Sequence, residues 1–265
     1  MTLPAVSGGF YWSDAPWGPV LRCRPLEDVA RHAFTSRHLK LSPTEGAAAL
    51  AASVGAAAVA QVSQVHGKAV ALVRRGAGWR RPWPEADVLV SRDPDTAVAV
   101  RAADCVPLLI GDPVTGAVAA VHAGWRGTSA GAAVAALDAL AREYGALPAN
   151  LVVAIGPCIG SCCYEVGTEL VDAFAAAGHE RYLIDRWFLA PAPPQGSRER
   201  PRLRLDLVAA NRDQLILAGV DEAHIHVSGL CTAMHPAVLT SFRAEGAQAG
   251  RLGAVIVATA GEPRA

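Results

Sequence analysis

Residues 101–131 read RAADCVPLLIGDPVTGAVAAVHAGWRGTSAG, and this stretch decides the fold. VPLLIGD and GAVAAVHAGW are apolar runs of strand length, separated by the turn-forming pair Asp112-Pro113, so they read as a buried hairpin. Each run is bracketed by residues that apolar runs normally avoid. Asp104 and Cys105 precede the first, and His122, Trp125 and Arg126 close the second. The thiol, the imidazole and the guanidinium at the hairpin ends need a reason beyond packing.

Working outward, ADVLVS and TAVAVRAAD supply two more strands just upstream. AAVAQVSQV and KAVALVRR read as a strand pair flanking His66-Gly67. GFYWS, PVLRCRP and HAFTSR read as early strands, and PTEGAAALAASVG as a helix with Ser42 or Thr44 near its cap. Downstream, TSAGAAVAALDALAREYG predicts a helix ending at Gly145. LVVAIGP is a buried strand, YEVGTELVDAFAAAG and LDLVAANRDQLILAGV are helices, and HIHVSG and LGAVIVA are late strands. The stretch APAPPQGSRERPR, residues 190–202, is expected to be an exposed excursion. Strands run through both halves with no charge run or long linker between them. One α+β domain with mixed sheets, spanning residues 1–265, is the expectation.

The chain has 265 residues, 52% hydrophobic and 18% charged, enough apolar material for a large core. A formal net charge of +0 gives no overall basic field, which argues against nucleic acid and against an anionic membrane as partners. The longest mildly apolar tract, EGAAALAASVGAAAVAQVSQV, is broken by Ser53, Gly55 and Gln61 and is too weak for a membrane span. The first residues lack a basic segment followed by an apolar one, so no secretory signal is read there. Six cysteines without a regular framework suit a reducing cytoplasm.

Three residues stand at the ends of apolar strands: His66, Cys105 and His122. Strand ends at one edge of a sheet converge in space, and a thiolate with two imidazoles forms a tripod for a borderline-soft ion such as zinc. Three protein ligands leave a fourth position for a reactant, and water bound there loses a proton near neutral pH. The structural alternative is that each is an ordinary packed residue. After His122, the segment GWRGTSAG leads into a helix. Backbone N–H groups near Gly127 and Thr128, with the Arg126 fork, suit an anion such as phosphate; the alternative is a glycine turn capped by Thr128 or Ser129. IGPCIGSCCYEVG fits neither a redox pair nor a zinc knuckle, and Cys158 and Cys162 read as structural. The pair His224 and His226, alone of its kind, reads as surface or packing rather than copper-binding.

QVHG, ADCVPLLI, VHAGWRG, IGPCIGSCCYEVG, LDLVAANRDQL, GLCT and SFRAEGAQAGR occur in one order. Together they resemble the YfiH/YlmD family, historically labelled multicopper polyphenol oxidoreductases or laccase-like proteins. The resemblance runs from about residue 32 to the C-terminus and is dense between Asp87 and Gly167. It implies a single domain layered α/β/β/α, with zinc held by His66, Cys105 and His122. It further implies phosphorolysis of purine nucleosides (adenosine, inosine, guanosine, methylthioadenosine), with adenosine deamination as a companion activity. Cys105, His122, Arg126 and Asp104 become the catalytic candidates, Asp104 either in proton transfer or orienting His66 or His122. Arg126, Gly127, Thr128 and Arg243 become the candidates for substrate and phosphate. HAFTSR matches the family, but the Gly-Gly-Val-Ser loop usual after it is replaced by HLKLSPTEG.

Two other enzyme classes use the same residues. A Cys105–His122 nucleophile–base pair would make a hydrolase or amidase without metal. Copper-dependent oxidation of phenols is the other, though histidine-rich copper motifs are lacking. A nucleoside-binding module without turnover is the non-enzymatic reading.

Overall fold

Alternating side chains on each strand face two different neighbours, and this alternation builds the layers. The computed structural model describes residues 2–42, 45–190 and 202–259. The first part of the chain forms β1 (Phe10–Ala15), β2 (Gly18–Cys23), α1 (Arg24–Glu27), β3 (Ala30–Thr35), α2 (Ala47–Ala52), β4 (Ala58–Ala60) and β5 (Val70–Val73). Its centre forms β6 (Val88–Ser91), β7 (Thr96–Ala102), β8 (Val106–Gly111), β9 (Val118–Ala123), α3 (Trp125–Ala130), α4 (Ala132–Tyr144) and β10 (Val152–Ile155). There follow β11 (Glu165–Val166), α5 (Glu169–Ala176), α6 (Arg181–Trp187), β12 (Phe188–Leu189), β13 (Leu203–Leu205), α7 (Leu207–Leu217), β14 (Ile225–Val227), α8 (Phe242–Glu245) and β15 (Leu252–Ala258).

Two mixed six-stranded sheets carry the fold. Their orders are β1-β2-β3-β15-β7-β4 and β14-β10-β8-β9-β6-β5, with a small third sheet β11-β13-β12. Between the large sheets lie Val98, Val100, Ala254 and Ile256 from the first and Leu89, Leu109, Val118 and Ala120 from the second. Their neighbours one residue along point the opposite way. Val88, Val90, Leu108, Ile110 and Val121 meet α4, α6 and α7 through Ala136, Leu140, Trp187 and Leu215. Val255 and Val257 meet Leu50 and Val54, in and just after α2. The result is the helix–sheet–sheet–helix stack expected from the resemblance. Full burial of a Val or Leu side chain contributes roughly 1.5–3 kcal/mol, and these strands are lined with them.

The hairpin of residues 106–123 forms as expected, with Val106 opposite Ala123 and Pro107 opposite His122. Antiparallel register therefore sets the thiol before β8 and the imidazole at the end of β9 at the same edge. Other expectations are corrected. β4 and β5 do not pair: β4 runs parallel to β7 in the first sheet and β5 parallel to β6 in the second, so QVHG crosses between sheets. The helix expected from Thr128 begins earlier, at Trp125, and Gly131 at φ 82° divides it into α3 and α4. The first residues of YEVGTELVDAFAAAG form β11 because Glu165 and Val166 pair with Arg204 and Leu203; the helix starts at Glu169. Ser42 accepts from the Glu45 N–H, yet the N-cap of α2 is Gly46. Thr44 and the excursion at 191–201 lie outside the described residues. No helix among the described residues is long and apolar enough to cross a membrane.

Candidate active site and metal centre

His66 is placed by two side chains, one that pins its loop to β7 and one that satisfies the loop's backbone. The Gln64 amide bonds both the N–H and the carbonyl of Arg101 (2.9 and 2.7 Å), extending the edge of β7 where β4 has ended. The buried Asp87 carboxylate accepts from the N–H groups of Val65, His66 and Gly67 at 3.3, 3.0 and 2.6 Å. Within this clasp His66 adopts φ 62°, a left-handed conformation rare for a residue with a side chain. The same carboxylate accepts from His122 Nδ1 at 2.8 Å. That contact leaves His122 Nε2 for other work.

His66, Cys105 and His122 come together as the sequence predicts. One donor atom from each lies within 4.8 Å of the other two, and the two imidazole centroids are 4.9 Å apart. Gly124 keeps the space open: a Cβ there would sit 2.7 Å from Cys105 Sγ and 3.2 Å from His66 Cδ2. Burial alone would hold the Cys105 thiol protonated, but the His122 and His66 imidazoles outweigh it and bring its pKa to about 6. Burial opposes a charge on His122 too, yet Asp87 and Cys105 raise it to about 9. Two nitrogens and one sulfur converging on one point, with His122 fixed by a carboxylate, suit a zinc-sized ion.

The tripod opens onto a cleft of about 870 Å³. Trp125, Tyr164 and Phe242 give it aromatic walls, and Arg101, Arg243 and Arg251 give it positive charge. Arg101 is partly buried, and burial together with the like charges of Arg251 and Arg81 lowers its pKa. Crowded guanidinium groups of this kind favour an anion. Burial and the nearby Cys105 push the Tyr164 phenol up to about 12, so it stays a hydrogen-bond donor.

The remaining expected residues are placed differently. Asp104 lines the cleft at φ 90°, but its oxygens accept from Thr232 Oγ1 and the Arg243 N–H, both at 2.6 Å. It fastens the crossing from β7 to β8, and Asp87 orients His122 in its place. Arg243 also donates to the Glu165 carbonyl (2.9 Å) and leans on the Tyr164 ring. Arg126 is exposed and stacks over the Trp125 indole at 4.2 Å, outside the cleft lining. Gly127 and Thr128 are buried. Gly127 allows α3 to approach Gly67, and Thr128 accepts from Asn211 Nδ2 at 2.9 Å, docking α7. His224 ends a single 3-10 turn and His226 lies in β14; neither joins a metal-binding group among the described residues. Asp87, Arg101, Tyr164 and Arg251 were not foreseen. An acidic residue opening a fully apolar strand, as in EADVLVS, was the available signal for Asp87.

Residues 42–259 match the family model described as multi-copper polyphenol oxidoreductase laccase. A purine nucleoside phosphorylase of Deinococcus radiodurans is 34% identical over 262 residues, covering 91% of this chain and 94% of that protein. Adenosine deaminase RL5, from an unknown prokaryotic organism, is 38% identical over 165 residues, 62% of this chain and 59% of that one. The crystal structure of YlmD from Geobacillus stearothermophilus superposes with a TM-score of 0.78 at 28% identity, over 96% of this chain and 100% of that chain.

Proposed function

The chain belongs to the laccase-like YfiH/YlmD family, and from that premise we propose that it is a zinc-dependent purine nucleoside phosphorylase with adenosine deaminase activity. Adenosine, inosine, guanosine and methylthioadenosine are the expected substrates, with phosphate as co-substrate. The observation that carries this reading is the Asp87–His122 contact beside Cys105 and His66, at the floor of a cleft with aromatic and cationic walls. His66, Cys105 and His122 would hold the zinc, which supplies a Lewis-acid centre when bound.

The chain's own residues do the positioning. Asp87 keeps the His122 ring in one tautomer and orientation. Trp125 and Phe242 offer flat faces to a purine, and Arg101 and Arg251, helped by Arg243, hold phosphate in the cleft. This moves the phosphate role from Arg126, which faces solvent, to arginines that line the cavity. In phosphorolysis a phosphate oxygen bonds to ribose C1′ as the bond from C1′ to the base nitrogen breaks. The base leaves with the electron pair and takes up a proton from water; the Tyr164 phenol, which keeps its own proton, offers a hydrogen bond in the cleft.

The test is base release from inosine or adenosine by the purified protein, with and without phosphate. Release that requires phosphate and disappears in Cys105→Ala is expected, with Arg101→Ala raising the phosphate KM roughly tenfold, the worth of a charge-assisted hydrogen bond. Release equal in the Cys105→Ala protein overturns the proposal. A second reading has one observation in its favour, the thiolate–imidazolium character of Cys105 and His122 with Asp87 behind. It makes the site a thiol hydrolase or amidase without metal.

A further inference from the structure

The segment IGPCIGSCCYEVG brings two sulfurs to a third from a distant part of the chain. Cys162 and Cys163 sit in a turn whose Cys163 and Tyr164 N–H groups both donate to the Gly160 carbonyl, at 2.9 and 3.0 Å. Cys231 is brought beside them by a short parallel bridge, in which Cys158 N–H donates to Leu230 O and Thr232 N–H donates to Cys158 O. The sulfurs of Cys162, Cys163 and Cys231 all lie within 4.8 Å of one another, and the Cys162 and Cys163 sulfurs are 3.5 Å apart. The Gly160 N–H donates to Cys231 Sγ at 3.2 Å and fixes where that sulfur sits. A side chain at 160 would crowd the group, since its Cβ would lie 3.2 Å from Cys162 Sγ and 3.6 Å from Cys231 Sγ.

We propose that Cys162, Cys163 and Cys231 form a second metal site, specific for a soft thiophilic cation and best matched to monovalent copper. Sulfurs about 2.3 Å from a common ion lie about 4 Å from one another, within the span these three occupy. Among the described residues, no imidazole or carboxylate belongs to the group. Hard ions require oxygen donors, and zinc in an all-sulfur site takes four of them; three sulfurs alone suit monovalent copper, which is stable with three ligands. Cys231 is buried, Cys163 half-buried and Cys162 exposed, so the ion has a way in. The site is distinct from the nitrogen-rich tripod and does not rest on the nucleoside reading. It stands against the cleft wall, because Tyr164 follows Cys163 and Thr232, which bonds Asp104, follows Cys231.

The test uses the full chain in a His66→Ala, Cys105→Ala background, where the tripod is reduced to one ligand. The protein is titrated anaerobically with copper(I) supplied as its acetonitrile complex, against a chromogenic copper(I) chelator. One copper per chain is expected, with X-ray absorption showing three Cu–S bonds and no Cu–N bond. Adding Cys162→Ser or Cys231→Ser is expected to weaken retention at least tenfold. The exposed Cys162 makes its variant a safe one for the fold, which circular dichroism checks. Copper left entirely with the chelator, nitrogen in the copper shell, or retention unchanged in both serine variants overturns the proposal. Zinc chloride is the comparison arm, and zinc held more tightly than copper overturns the choice of cation.

Discussion

Asp87 serves four donors with one carboxylate, three backbone N–H groups of the His66 loop and the His122 ring. Such a partner fixes both which ring nitrogen carries the proton and where the other points. Asp87→Asn keeps the shape but offers one oxygen where two were used. It is expected to lower metal affinity or turnover roughly 10–100-fold, read by metal retention and kcat on the same preparation. A second histidine shows the opposite electrostatics. His32 is buried, accepts from the Cys23 N–H at 2.9 Å and faces the Ala30 carbonyl with its other nitrogen. Burial, then the Arg22 guanidinium, pushes its pKa down from 6.5 to about 4. The unfolded chain takes up this proton first as pH falls. The neutral ring's contribution is therefore complete above about pH 6.5 and lost progressively towards about pH 4, amounting to about 3 kcal/mol. Urea midpoints measured across that window are expected to fall with pH, and His32→Gln, which cannot protonate, to flatten the fall. A midpoint that does not move between about pH 7 and about pH 4 contradicts this role.

At the level of elements, the loop from β4 to β5 decides where His66 stands. It leaves the first sheet, is pinned to β7 through Gln64, and enters the second sheet at β5. Gln64→Ala strips partners from both backbone groups of Arg101. A loss of about 1 kcal/mol in folding stability is expected, measured by urea denaturation, together with weaker metal retention from a looser His66. Retention equal to wild type would show that Asp87 alone positions the loop. The sequence made most of these strands readable, because alternation and turn residues are local signals. Partner choice was less readable. AAVAQVSQV and KAVALVRR carry the same pattern whether they pair with each other or with strands of separate sheets, and only the crossing at QVHG separates the cases. The break at Gly131 was hidden because helix runs on both sides of it, the short α3 before and the alanine-rich α4 after.

For the whole molecule, the cleft exists because both large sheets end at the same edge. Arg101 and Arg251 come from β7 and the approach to β15 in the first sheet; Cys105 and His122 come from β8 and β9 in the second. The tripod was legible in the sequence, since thiols and imidazoles at strand ends are rare enough to notice. The cationic wall was not, because Arg101 lies inside a strand and Arg251 lies far along the chain from the glycine-rich turn that drew attention to Arg126. Cys231 was equally hidden, as nothing local ties it to Cys162 and Cys163. The central claim is that strand ends of the two sheets and the crossing between them gather one sulfur and two nitrogens around a zinc ion. Elemental analysis of protein purified without added metal tests it most directly. About one zinc per chain in the wild type, absent from His66→Ala and Cys105→Ala, is the predicted result. A wild-type protein that is free of zinc, fully active, and inactivated by iodoacetamide at Cys105 would contradict it.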